Sequence, residues 1–82
     1  MEYEIEFRPK AVKDLDSMHS DFRERVIEKI ERMRNNLEGD VKRLTNFFPD
    51  HRLRVGDYRV LFGVEGARVI VYRVRHRREV YR

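Results

Sequence analysis

The stretch "HRLRVGDYRVLFGV", residues 51–64, decides how this chain folds. Gly56-Asp57 separates two alternating apolar segments, with the glycine first, as a type II′ two-residue turn requires. A hairpin closed there sets Val55 opposite Tyr58 and Leu53 opposite Val60. A slip of one residue would turn that apolar face outward, so the register is strongly specified. The same register sets Arg54 directly opposite Arg59 on the other face, with Arg52 two residues along it. Like charges so opposed destabilise a sheet. The pair therefore reads as a surface kept for a polyanion. The alternative is that the side chains spread into water towards Asp57 or Glu65.

Working outward, strands are expected at His51–Val55, Tyr58–Val64 and Arg68–Val74, with a short one around Val80. Alternation from Val69 and Val71 would carry Arg73 into the core, so a bulge or a fraying strand end must intervene there. Upstream, Tyr3, Ile5 and Phe7 alternate with acidic residues as a half-buried strand. Pro9 suits the first turn of a helix carrying Ala11, Val12, Leu15 and Met18. Ser20 is the expected N-cap of a second helix, whose stripe runs through Phe22, Val26, Ile27, Ile30 and Met33, with Leu37 as a further candidate at its end. Asn35, Asn36 and Gly39 end it, and residues 40–50 read as a connector anchored by Leu44, Phe47 and Phe48. The predicted fold is a single α+β domain over residues 1–82: an N-terminal strand, a helical hairpin, then an antiparallel meander sheet. The helices pack on one face and leave the other free.

Composition narrows the function. With no cysteine, neither disulfides nor a thiolate metal site can staple these 82 residues. The run Val69–Tyr72 is too short to span a membrane and the opening residues are not a secretory signal, so a cytoplasmic location without membrane association is expected. Residues 1–41 carry eight basic and eleven acidic side chains, whereas residues 42–82 carry eleven and four, a net charge of +7. Such asymmetry is the footprint of a polyanion partner on the second half.

The chain closes on "RVRHRREVYR", residues 73–82. No histidine spacing forms a metal-ligand pair, no serine or cysteine nucleophile has a base, and no glycine-rich phosphate loop is present, so neither metal nor cofactor is expected. What remains is Arg52, Arg54, Arg59, Arg75, Arg77 and Arg78, with His76 and Tyr81. These groups can bind a phosphate, stabilise a phosphorane and move protons, the needs of metal-free RNA cleavage. Imidazole is a side chain suited to acid–base work, which makes His76 a candidate for it, or it is a solvated tail residue. Tyr81 either anchors the last strand or offers a ring for a nucleobase.

At "LRVGDYRVLF" and "VRHRREVYR" the sequence resembles the RelE toxins of toxin–antitoxin pairs, over essentially its whole length. The resemblance implies a small α/β fold, a ribosome-dependent endoribonuclease that cuts mRNA in the A site, and a neutralising antitoxin encoded alongside. It places the family's basic pair on Arg52 and Arg54, its hairpin arginine on Arg59, its later basic residue on Arg77 and its tyrosine on Tyr81. The best-described members carry lysines at the first two positions, one of them assigned as general base. Arginine cannot take that role near neutral pH, so the base falls to His76 or to a group of the ribosome. The sequence closes without the C-terminal helix of some members, leaving the edge near Tyr81 as a place for the antitoxin. A rival reading is a ParE-like toxin that inhibits DNA gyrase, and a third is a degenerate relative that only binds its antitoxin.

Overall fold

Pro9 opens the first helix, and the chain before it is the first strand: β1 is Glu4–Phe7 and α1 is Pro9–Asp16. The computed structural model describes residues 1–80. A second helix, α2 (Ser20–Arg32), follows, and its cap corrects the prediction. Ser20 is already helical, and His19 holds the extended N-cap conformation, its Nδ1 accepting from the Asp21 N–H at 3.3 Å. An imidazole nitrogen here does what a hydroxyl usually does.

The remaining strands are β2 (Val41–Arg43), β3 (His51–Val55), β4 (Tyr58–Glu65) and β5 (Arg68–His76). Together with β1 they form one five-stranded sheet in the order β1-β5-β4-β3-β2. The strands from β2 to β5 make an antiparallel meander, and β1 lies parallel to β5. Strand β2 lies inside the predicted connector, pairing Val41 with Leu53 and Lys42 with Arg52. Three residues are too few to show an alternation.

The decisive hairpin has the predicted register: Val55 faces Tyr58, Leu53 faces Val60 and Arg54 faces Arg59. Gly56 takes the positive φ of +58° at the first turn position. The irregularity near Arg73 is a bulge. Leu61 faces Arg73 and Phe62 faces Val71, which leaves Tyr72 as the extra residue of β5. The bulge keeps Val69, Val71 and Val74 in the core while turning Arg73 away from it.

The core lies between the helices and one sheet face, where Ala11, Leu15, Val26, Ile30 and Met33 meet Leu53, Val60, Phe62, Val71 and Val74. Phe22, Ile27 and Val12 remain partly exposed, so the apolar helix stripes are wider than the contact they make. The second sheet face is not bare as predicted: Leu61 and Ile70, which the register places there, are buried. Phe48 is also no core anchor, being 76% exposed.

Past Val71, β5 outruns β1, and Asp14 of α1 covers the open edge. Its carboxylate accepts from Val74 N at 2.9 Å and from Arg73 Nε and Nη2 at 2.8 and 3.1 Å. The segment around Val80 is not a strand but one helical turn, α3 (Arg77–Val80). His76 Nδ1 accepts from the Arg78 N–H, and the Glu79 carboxylate accepts from the His76 N–H, both at 3.3 Å. This is a reciprocal capping box with histidine as its first member.

Candidate nucleic-acid interface

The hairpin register continues onto the next strand, where Arg59 faces Arg75. Arg54, Arg59 and Arg75 therefore stand abreast on β3, β4 and β5, one strand spacing of roughly 4.8 Å apart at the backbone. The opposition inferred from the hairpin is thus doubled. Arg54 is exposed, while Arg59 and Arg75 are half-buried.

The three differ in how they are held. Arg59 Nη1 donates to the carbonyls of Gly56 at 2.9 Å and Tyr58 at 3.1 Å, which draws its guanidinium over the turn. Arg75 Nη2 reaches Glu79 at 3.2 Å. Among the described residues, neither Arg54 nor Arg59 has a carboxylate within ion-pair distance. The start of α3 brings in a fourth guanidinium, because the Arg77 N–H donates to the Asp57 carbonyl at 2.7 Å and its Nε lies 3.8 Å from Asp57 Oδ1. Arg59 and Arg77 thus converge on the Gly56-Asp57 turn.

The structure separates the other predicted residues from this row. Arg52 shares the face, but its side chain is only 14% exposed and donates to the Asp40 carbonyl and carboxylate at 2.7 and 3.2 Å. It ties β3 to the entry of β2. Arg78 is exposed within α3. His76 faces Tyr58 in the register, which puts it on the helix-covered side of the sheet, edge-on to the Tyr58 ring at 5.6 Å. Its Nδ1 is occupied by the cap of α3. Tyr81 lies outside the described residues.

Several neighbours of the site had little signal in the sequence. Of the counter-charges beside the row, Asp57 is already offered by the sequence as an arginine partner, whereas only the His-x-x-Glu spacing of residues 76–79 hints at Glu79. Asp14 fixes Arg73, and its hydrogen bonds raise the pKa of that guanidinium, so Arg73 is a firmly charged structural group. His51 stacks on Phe62 and lies 2.9 Å from Asp50, whose carboxyl that contact holds below its usual pKa.

The arrangement offers a phosphate two guanidiniums free of carboxylates, a third held by one exchangeable ion pair, and a fourth at the turn. Among the described residues the guanidiniums of the row accept no proton near neutral pH, and the carboxylates beside them, Glu79 and Asp57, are engaged with Arg75 and Arg77.

Comparison with known proteins gives a consistent neighbourhood. Residues 5–81 match the family described as ParE toxin of type II toxin–antitoxin system, parDE. The toxin RelE3 of Methanocaldococcus jannaschii is 34% identical over 80 residues, covering 92% of this chain and 91% of that protein. The crystal structure of a RelB–RelE antitoxin–toxin complex from Methanococcus jannaschii superposes with a TM-score of 0.76 at 34% identity, covering 93% of this chain and 94% of that one. An archaeal RelE–RelB complex from Pyrococcus horikoshii gives 0.75 at 24% identity over 98% of this chain and 100% of that one, a likeness of fold.

Proposed function

The chain belongs to the RelE/ParE family of toxins from type II toxin–antitoxin systems, and from that membership we propose that it is a ribosome-dependent mRNA endoribonuclease. The observation that carries the reading is the row Arg54-Arg59-Arg75, which costs stability in the free protein and is relieved by a phosphodiester. The ribose 2′-oxygen attacks the adjacent phosphorus and the bond from phosphorus to the 5′-oxygen breaks. The products are a 2′,3′-cyclic phosphate and a 5′-hydroxyl. Arg54 and Arg59 bind the non-bridging oxygens and the charge that develops on them. Arg75 joins them by exchanging Glu79 for phosphate, and Arg77 gives a hydrogen bond to the departing 5′-oxygen, which takes its proton from water. The 2′-hydroxyl proton leaves to a group of the ribosome, because His76 is turned to the other side of the sheet. Tyr81 follows in sequence as a residue for base stacking.

The partners follow from the same reading: a cognate antitoxin, as in the RelB–RelE complexes that share this fold, and a ribosome with mRNA in its A site. The site of action is the cytoplasm. Among the described residues no helix is long and apolar enough to cross a membrane.

A second reading is favoured by one finding, the match to a family described by ParE. It makes the chain an inhibitor of DNA gyrase that uses the basic face for binding alone. Induction in cells separates the two. New mRNA 5′ ends within codons with unchanged plasmid supercoiling support the nuclease. Intact mRNA with relaxed plasmid supports the gyrase reading.

A further inference from the structure

Phe48 is the most solvent-exposed large apolar residue of the described chain, at 76%. Its ring meets the edge of Tyr72 at 5.2 Å between centroids. Leaving a phenylalanine ring in water forgoes burial free energy, so its position asks for an occupant. The two rings wall an open groove of about 510 Å³ that also takes in Arg8, Lys10, Pro49 and Arg73. The bulge places Tyr72 there: it lies over Gly63 on the second sheet face, with Cε2 3.4 Å from where a glycine Cβ would stand. Arg73 is committed to Asp14 and forms a wall. Arg8 and Lys10 are exposed, and neither has a carboxylate partner among the described residues. The Arg8 guanidinium stands 5.7 Å from the Tyr72 ring centroid.

We propose that this groove is a nucleobase-stacking subsite for single-stranded RNA, continuing the path of the arginine row. The inference rests on the nuclease reading and deepens it. Aromatic rings with unpaired cations at their rim match a base and its flanking phosphates. An apolar protein segment would gain nothing from Arg8 and Lys10. Position agrees, because Tyr72 and Arg73 directly precede the Val74-Arg75 end of β5 on the same strand. From Tyr72 to Arg75 is three residues along the strand, roughly 10 Å, within the reach of neighbouring nucleotides.

The chain contains no tryptophan, so Phe48→Trp supplies a single reporter at the groove. Titrating that variant with a short single-stranded RNA should quench its fluorescence. Phe48→Ala should melt as the wild type does and bind the same RNA about tenfold more weakly, the effect of losing one stacked base. Replacing Arg8 and Lys10 together by glutamine should flatten the salt dependence of binding. Undiminished affinity in Phe48→Ala, with affinity lost in Arg59→Gln, would overturn the groove while leaving the row standing. Affinity unchanged in both would overturn the nuclease reading as well. Quenching by an antitoxin peptide but not by RNA would make the groove a protein-docking site and overturn the proposal.

Discussion

Replacing Arg59 by glutamine probes the row at its centre. Arg59 opposes Arg54 on one side and Arg75 on the other, so two like-charge pairs vanish together. At about 0.2–1 kcal/mol each, their removal stabilises the sheet by roughly 0.4–2 kcal/mol. Against this, the guanidinium loses its bonds to the Gly56 and Tyr58 carbonyls. Hydrogen bonds of this kind contribute roughly 0.5–1.5 kcal/mol each, the lower value applying to a partly exposed pair. The two effects nearly cancel. The variant should therefore lie within about 1 kcal/mol of wild type, a shift in Tm of no more than about 4–8 °C in either direction. Salt separates the two contributions, since the Debye length falls from about 30 Å at 0.01 M to about 8 Å at 0.15 M. Wild-type stability should rise with salt over that range, and the variant's should rise less. Thermal melts of both proteins across a salt series measure this. Parallel salt slopes would show that the guanidiniums do not sense one another. A loss above about 2 kcal/mol would make Arg59 a clamp for the turn.

Further outcomes follow from the same contacts. Asp14→Ala removes one acceptor from Arg73 and Val74 at the open edge of β5, at side-chain exposures of 16% and 32% for the ion pair. It should cost about 2–3 kcal/mol in urea melts, and a loss below about 0.5 kcal/mol would refute the edge-capping role. Gly39 has φ +134° and Leu53 Cδ1 only 2.8 Å from an added Cβ, whereas Gly56 has φ +58° and open space around it. Gly39→Ala should therefore destabilise by about 3 kcal/mol and Gly56→Ala by about 1 kcal/mol, and the reverse order would contradict this. Antitoxin affinity should fall as salt rises, and should fall further on reversing Arg54 or Arg77 to glutamate; titration calorimetry that finds no change would place the antitoxin elsewhere.

Much of the fold could be read from periodicity. Val55, Tyr58, Leu53 and Val60 fix the hairpin because a one-residue slip would expose the whole face. The conflict at Arg73 correctly called for an irregularity, yet its form depended on Asp14, 59 residues earlier, which no local pattern reveals. Neither helix cap is legible in the sequence, because histidine rarely fills that position and local pattern favours Ser20 as a cap and a strand around Val80. Of the site, the opposition of Arg54 and Arg59 was legible from alternation alone, and Arg75 joined it only through the β4–β5 register. Charge counting cannot tell a free arginine from a committed one. Alternation alone makes Arg52 equivalent to Arg54, whereas Asp40 binds the first and leaves the second free of carboxylates among the described residues. His76 sits among arginines in sequence, but odd and even positions of a strand point to opposite faces.

The most direct test of the account is primer extension on a defined mRNA bound to ribosomes with a vacant A site. Wild type is compared there with Arg54→Gln and Arg59→Gln variants whose melts show them folded. The account predicts a wild-type cut within the A-site codon, bearing a 2′,3′-cyclic phosphate, and cleavage about a hundredfold slower in each variant. Uncut mRNA in the presence of wild-type protein, together with blocked gyrase supercoiling, would contradict it.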